Sequence, residues 1–281
     1  MLFMAFPSFC GGPWVQKKGK SYFKLSEWWL VFDEHYTSAG LKDPNVTTGV
    51  YNTFLYGEYG ITNRFTGIVS SALFSRNYMN NLVSGTTGKT IVAGDAVNYL
   101  GDTDLGFKYQ LSKKDAKVPM ALSIVLGLPI GKSAAGDAMN LQTGDGEFNQ
   151  IIQFDIGKGF TVFKKRQAYY ALYGGFNNRS NGFSEEIRFG GEFGIEFFSK
   201  KLWVIARVNG IESMKNGATA ETVTSTSIFA NNSEYISYSV EVNQYFSNKI
   251  GLSVGLASAL RGEIIAAAPS FSAGIFLDFT K

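Results

Sequence analysis

Along most of the chain after residue 20, apolar and polar side chains alternate with a period of two, the spacing that sends successive residues to opposite faces of a β-strand. Leu105, Phe107, Tyr109 and Leu111 fall on one side of such a run, and Asp104, Gly106, Lys108 and Gln110 on the other. A second run sets Ile187, Phe189, Phe193, Ile195 and Phe197 against Glu186, Arg188, Gly190, Glu192, Gly194 and Glu196. Towards the end, Ile236, Tyr238, Val240 and Val242 oppose Ser237, Ser239, Glu241 and Asn243, and Phe271, Ile275, Leu277 and Phe279 oppose Ser272, Gly274 and Asp278. Helical spacing is almost absent.

Read this way, the chain predicts strands near 20–34, 48–60, 64–76, 101–112, 119–128, 147–158, 167–177, 184–198, 201–211, 233–246, 250–260 and 270–279. Each is about ten residues long, enough to cross hydrocarbon when tilted. The connections sort by length. Those at 61–63, 112–118, 159–166, 199–200 and 247–249 are short and polar or basic, whereas 35–47, 77–100, 129–146, 178–183, 212–232 and 261–269 are longer. Short and long links in strict alternation imply a fold with two unlike ends. The expected class is all-β: a transmembrane antiparallel β-barrel of about twelve strands, with short periplasmic turns and longer extracellular loops. A soluble sandwich or lipocalin-like barrel would share the alternation but turn its apolar face inward. Its polar face would also carry dense Lys and Glu, whereas here Gly, Ser, Asn and Tyr dominate. Trp29, Tyr51, Tyr59, Phe160, Phe198, Phe246 and Phe279 near strand ends suit interfacial girdles.

Composition supports this picture. Of the 281 residues, 45% are hydrophobic and 15% aromatic, but only 17% are charged. No run reaches the roughly 18 apolar residues of a membrane helix, because Ala121 to Ile130 is broken by Ser123, Gly127 and Pro129. A spanning chain without such helices must close into a barrel, since only closure satisfies every backbone hydrogen bond in lipid. The net charge of +3 and the lack of a basic block leave no footprint for nucleic acid. Cys10 is the single cysteine, so neither an internal disulfide nor a cysteine-ligated zinc can form. The apolar start Leu2 to Phe6, with Ser8 and Cys10 ahead of Gly11, reads as a signal-peptide remnant over 1–10, leaving 11–281 as the barrel. Bulky Phe9 argues against lipidation of Cys10.

Candidate chemistry is sparse. Gly127 to Ser133 approaches a phosphate-binding loop but has three residues between its glycines instead of four, and no helix after Lys132-Ser133. His35, the sole histidine, sits among Asp33, Glu34 and Tyr36 with no nucleophile beside it, so no catalytic constellation is expected. No ligand spacing points to a metal or other cofactor. The charges on the polar strand faces are the better candidates. Asp104, Lys108, Asp155, Glu186, Arg188, Glu192, Glu196, Arg207 and Glu241 are expected to line the lumen, either as a salt-bridged filling or as a constriction that selects a solute.

Tyr56-Gly57-Glu58-Tyr59-Gly60-Ile61-Thr62-Asn63-Arg64 and Gly101-Asp102-Thr103-Asp104-Leu105-Gly106-Phe107-Lys108-Tyr109 resemble segments of the outer-membrane barrels of the MetA-pathway of phenol degradation type, which are similar to the FadL-like superfamily. Leu128-Pro129-Ile130-Gly131 and Leu141-Gln142-Thr143-Gly144-Asp145-Gly146 extend the likeness. The resemblance implies passive admission of small hydrophobic or aromatic molecules through the outer membrane of a Gram-negative bacterium. The partners would be outer-membrane lipid and the solute, with no protein partner named. The stretch ahead of the first strand is expected to be too short for the long N-terminal plug of fatty-acid channels. The other reading is a closed structural or adhesive barrel that presents loops 77–100 and 212–232 to a partner.

Overall fold

The computed structural model of this chain describes residues 12–113, 115–163, 165–198, 201–218 and 229–280. The expected signal-peptide remnant at 1–10, with Cys10, lies outside the described residues.

Twelve antiparallel strands form the wall. They are β1 Ser21–Tyr36, β2 Lys42–Gly60, β3 Phe65–Met79, β4 Thr103–Gln110, β5 Met120–Leu128, β6 Asn149–Val162, β7 Arg166–Arg179, β8 Glu186–Phe197, β9 Leu202–Ser213, β10 Glu234–Tyr245, β11 Ile250–Glu263 and β12 Ser270–Asp278. Each pairs with its sequence neighbour, and β1 closes the cylinder on β12, running from Tyr22 opposite Asp278 to Leu30 opposite Ser270. The wall therefore has no free edge, the condition for a sheet in hydrocarbon.

The outward rows are apolar around the whole circumference. Leu25, Leu105, Ile124, Ile152, Leu172, Ile187, Val254 and Ile275 are all exposed. In water such a continuous surface would drive aggregation; as a belt around a closed barrel it is the face that meets lipid. Trp29 stacks on Phe271 at 5.9 Å in this outer layer, and Phe160 lies between Tyr170 and Phe193. The protein is an outer-membrane β-barrel, with short turns at the end that holds residues 12–20 and the close of β12, and long loops at the other.

Three details differ from the sequence reading. The first long link shrinks to residues 37–41, because β1 and β2 continue past the lipid as a hairpin whose ladder reaches Tyr36 opposite Lys42. Within the second, Asp95–Tyr99 adds to the upper part of β3, and Leu82–Val83 pairs with Thr90–Val92. The third difference is inside the barrel, which is not lined by polar residues alone. Trp28, Leu30 and Phe32 of β1, with Val50 and Phe54 of β2 and Ala72 of β3, form an apolar cluster near the extracellular end. Phe229 and Ala266, from the last two long loops, fold in over it and shield it from lumen water. Burying side chains of this size is worth about 2–3 kcal/mol each, which ties the loops to the wall.

Candidate functional site

Residues 12–18 run across the bottom of the barrel instead of hanging below it. Gln16 donates from its backbone N–H to Thr66 Oγ1 of β3 at 2.8 Å, and from Nε2 to Glu58 Oε2 of β2 at 2.6 Å. Trp14 sets its ring edge-on to Tyr169 of β7 at 5.4 Å, Gly12 lies against Ala171, and Pro13 lies against Gly157 of β6. Lys108 Nζ of β4, fully buried, donates to the Gly12 carbonyl at 2.9 Å. The segment is thus a strap stretched from β2 and β3 to β6 and β7. A short plug exists where only the absence of a long one was expected.

Against the strap, whose Gln16 forms part of the wall, lies a cavity of about 270 Å³. Its walls carry two kinds of group. Tyr22, Tyr56, Tyr169, Trp203, Tyr245 and Phe276 supply rings, several in mutual contact, such as Tyr245 edge-on to Phe276 at 4.8 Å and Tyr169 beside Trp203 at 5.9 Å. Gly194 makes room for this lining: a Cβ there would come within 2.2 Å of Tyr169 Cε1, so glycine lets the ring lie flat on the neighbouring strand. The second kind is a row of ion pairs along the wall. Arg207 Nε donates to Glu192 Oε2 at 2.9 Å and its Nη1 to Glu241 Oε2 at 3.3 Å, while Lys24 Nζ sits 3.2 Å from the same Glu241 oxygen. Glu58, on the same cavity wall, has its Oε1 3.9 Å from Lys108 Nζ and accepts there from Tyr56 Oη at 2.5 Å.

A separate network fills the extracellular half opposite the apolar cluster. Arg179 is held between Glu147 and Glu186, with Nη1 donating to Glu186 Oε1 at 2.7 Å. Arg188 Nη2 donates to Glu186 Oε2 at 3.0 Å, and Asn177 Nδ2 donates both to Glu186 Oε2 and to Asn149 Oδ1. Above it, Asp102 pins the loop between β5 and β6 by accepting from the Gly131 and Asp145 N–H groups at 2.9 and 3.0 Å. Burial and the charge of Asp145 push the Asp102 carboxyl up to about 6.

The nine residues singled out from the sequence all lie on the row opposite the lipid-facing one. Lys108, Glu192, Arg207 and Glu241 belong to the lower group around the strap and cavity. Asp155 lies nearby, accepting from Gln153 Nε2 at 2.9 Å. Glu186 and Arg188 belong to the upper network, and Asp104 stands next to Gly127 within electrostatic reach of Arg188. Glu196 is buried and stands in register opposite Trp203 of the cavity wall. Sequence reasoning missed Lys24 and Glu58, whose alternation with Phe23, Leu25, Gly57 and Tyr59 could have flagged them. It also missed Arg179, Glu147 and the strap, for which no local signal exists. His35 lies in the ladder opposite Asp43 and Ala266, and the stretch after Leu128 forms no helix. Among the described residues, no group of three His, Cys, Asp or Glu side chains could hold a metal.

The fold has solved counterparts. An outer membrane channel from Pseudomonas putida F1 superimposes over 96% of this chain and 99% of its own, with a TM-score of 0.61 at 14% identity. The KdgM porin matches over 92% and 99%, at TM-score 0.51 and 9% identity. LpxR from Salmonella typhimurium matches over 92% and 100%, at 0.51 and 10%. At these identities the likeness establishes the shared barrel fold. No protein-family signature and no characterised protein matches the sequence itself.

Proposed function

We propose that this barrel is an outer-membrane channel for the passive diffusion of small hydrophobic or aromatic molecules. The cavity beside the strap carries the reading. Its volume approaches the lower end of pockets that hold small molecules, and its rings offer stacking surface to a planar solute. The cations beside the cavity are already compensated: Arg207 and Lys24 are engaged by Glu192 and Glu241. A solute passing them meets dipoles and ring faces instead of an uncompensated positive charge, which suits a neutral molecule better than an anion. The nine inward residues are proposed as lumen lining in this sense, with Glu192, Arg207 and Glu241 at the narrow part beside the strap. Diffusion down a gradient requires no energy-coupling element.

The strap itself favours the other reading, a closed barrel that presents its loops, because it spans the lumen from wall to wall. Uptake into liposomes separates the two. The channel reading expects a small phenolic solute to enter vesicles carrying the protein faster than empty ones, and faster still when Trp14→Ala and Gln16→Ala loosen the strap. No gain over empty vesicles for either form would leave the closed barrel.

A further inference from the structure

The two ends of the barrel differ in the mix of their charges. At the extracellular end both signs are exposed, Asp33, Glu34, Asp43 and Asp137 together with Lys42, Lys89, Lys132, Lys215 and Arg261. At the periplasmic end, among the described residues of the turns and the strap, Asp115 is the lone carboxylate. The cations there sit beside exposed apolar side chains. Lys165 and Arg166 adjoin Phe163, which is 81% exposed, and Lys201 follows Phe198, 76% exposed. Lys249 follows Phe246, 68% exposed, and Arg64 and Lys113 flank Ile61 and Leu111 in the same way. Phe163 and Phe198 hold φ of +48° and +51°, a conformation that bulky side chains rarely adopt. In both turns the backbone keeps this cost while leaving the ring outside the barrel.

We infer that this periplasmic rim is a binding surface for anionic phospholipid headgroups of the inner leaflet. Arg166 continues the lipid-facing row of Tyr170 and Leu172, and Phe246 that of Tyr238 and Val240, so the rim stands at headgroup depth. Exposed aromatics beside Lys and Arg are the side chains that settle at a membrane interface. Lys165 and Lys201 have no carboxylate partner among the described residues, while Arg166 and Lys249 lie over the rings of Phe197 and Phe279 at 4.6 and 5.6 Å, leaving their charge available to a phosphate. The turns are too short to build a concave site for a folded partner, but a ring of single cations fits a surface of separate phosphates.

The test uses the full chain in vesicles of phosphatidylcholine mixed with phosphatidylglycerol, followed by gentle extraction and analysis of the lipid that stays bound. The bound ratio of phosphatidylglycerol to phosphatidylcholine should exceed the starting ratio by about fivefold, the gain from one cation near an anionic surface. High salt should abolish the excess, as should Lys165→Ser, Arg166→Ser, Lys201→Ser and Lys249→Ser combined, with heat-modifiable gel mobility showing that the barrel is intact. Should the combined variant not fold, the salt dependence of the parent protein decides. A bound ratio equal to the starting one, or an excess that persists in the folded variant, overturns the inference. So does binding to peptidoglycan without phospholipid enrichment.

Discussion

The two ionic groups inside the barrel use the same residue types for different ends. In the extracellular half, Arg179 and Arg188 share Glu186, Arg179 also holds Glu147, and Asn177 and Asn149 complete the hydrogen bonding. In the periplasmic half, Lys24, Arg207, Glu192 and Glu241 border open space. A closed cluster of charges has already lost its water and depends on every member, whereas a row beside a cavity keeps water and can tolerate a loss. The contrast assigns the upper group to holding the loops and the lower to the passage.

The largest expected difference between them is in stability. Arg179→Met leaves Glu147 and Glu186 buried without their shared cation and should cost about 3–5 kcal/mol, read as a lowered thermal midpoint of the folded barrel in detergent. Arg207→Ala should cost less, about 1–3 kcal/mol, because water in the cavity can solvate Glu192 and Glu241. Its stronger consequence is electrical. With two acids uncovered and only Lys24 beside them, the reversal potential in a planar bilayer should move towards cation preference, and a change as small as for Arg179→Met would erase the proposed division.

The sequence made part of this division legible. Period-two alternation placed twelve strands and put Glu186, Arg188, Glu192 and Glu241 on one face, because parity is a local property that a single strand carries. It failed where both faces are apolar. The run Trp28-Trp29-Leu30-Val31-Phe32 has no alternation, so nothing local shows that Trp28, Leu30 and Phe32 turn inward beneath Phe229. Partnerships across distant strands were also hidden, as with Arg179 and Glu147, 32 positions apart. The strap was invisible because residues 12–18 have no period, and their place is set by Glu58, Thr66, Lys108 and Tyr169 on other strands.

The smallest effect concerns the loop clip above the upper network. Asp102 has its carboxyl raised to about 6 by burial and by Asp145, whereas in an unfolded chain it would titrate near about 4. The folded form therefore holds the extra proton across that interval, and the clip gains stability as pH falls from about 6 towards about 4. Hydrogen exchange at Gly131 and Asp145, corrected for intrinsic rates, should show protection rising modestly between neutral and mildly acid pH, and Asp102→Asn should flatten that rise.

The passage itself is tested most directly by filling the cavity without touching a charge. Ile205 is buried on its wall, and Ile205→Trp places a larger ring in the open space beside Arg207. Measured as uptake of a small phenolic solute into liposomes, with gel mobility confirming a folded barrel, the account predicts that the parent protein speeds entry and that Ile205→Trp removes the gain. Equal uptake by the two would contradict it.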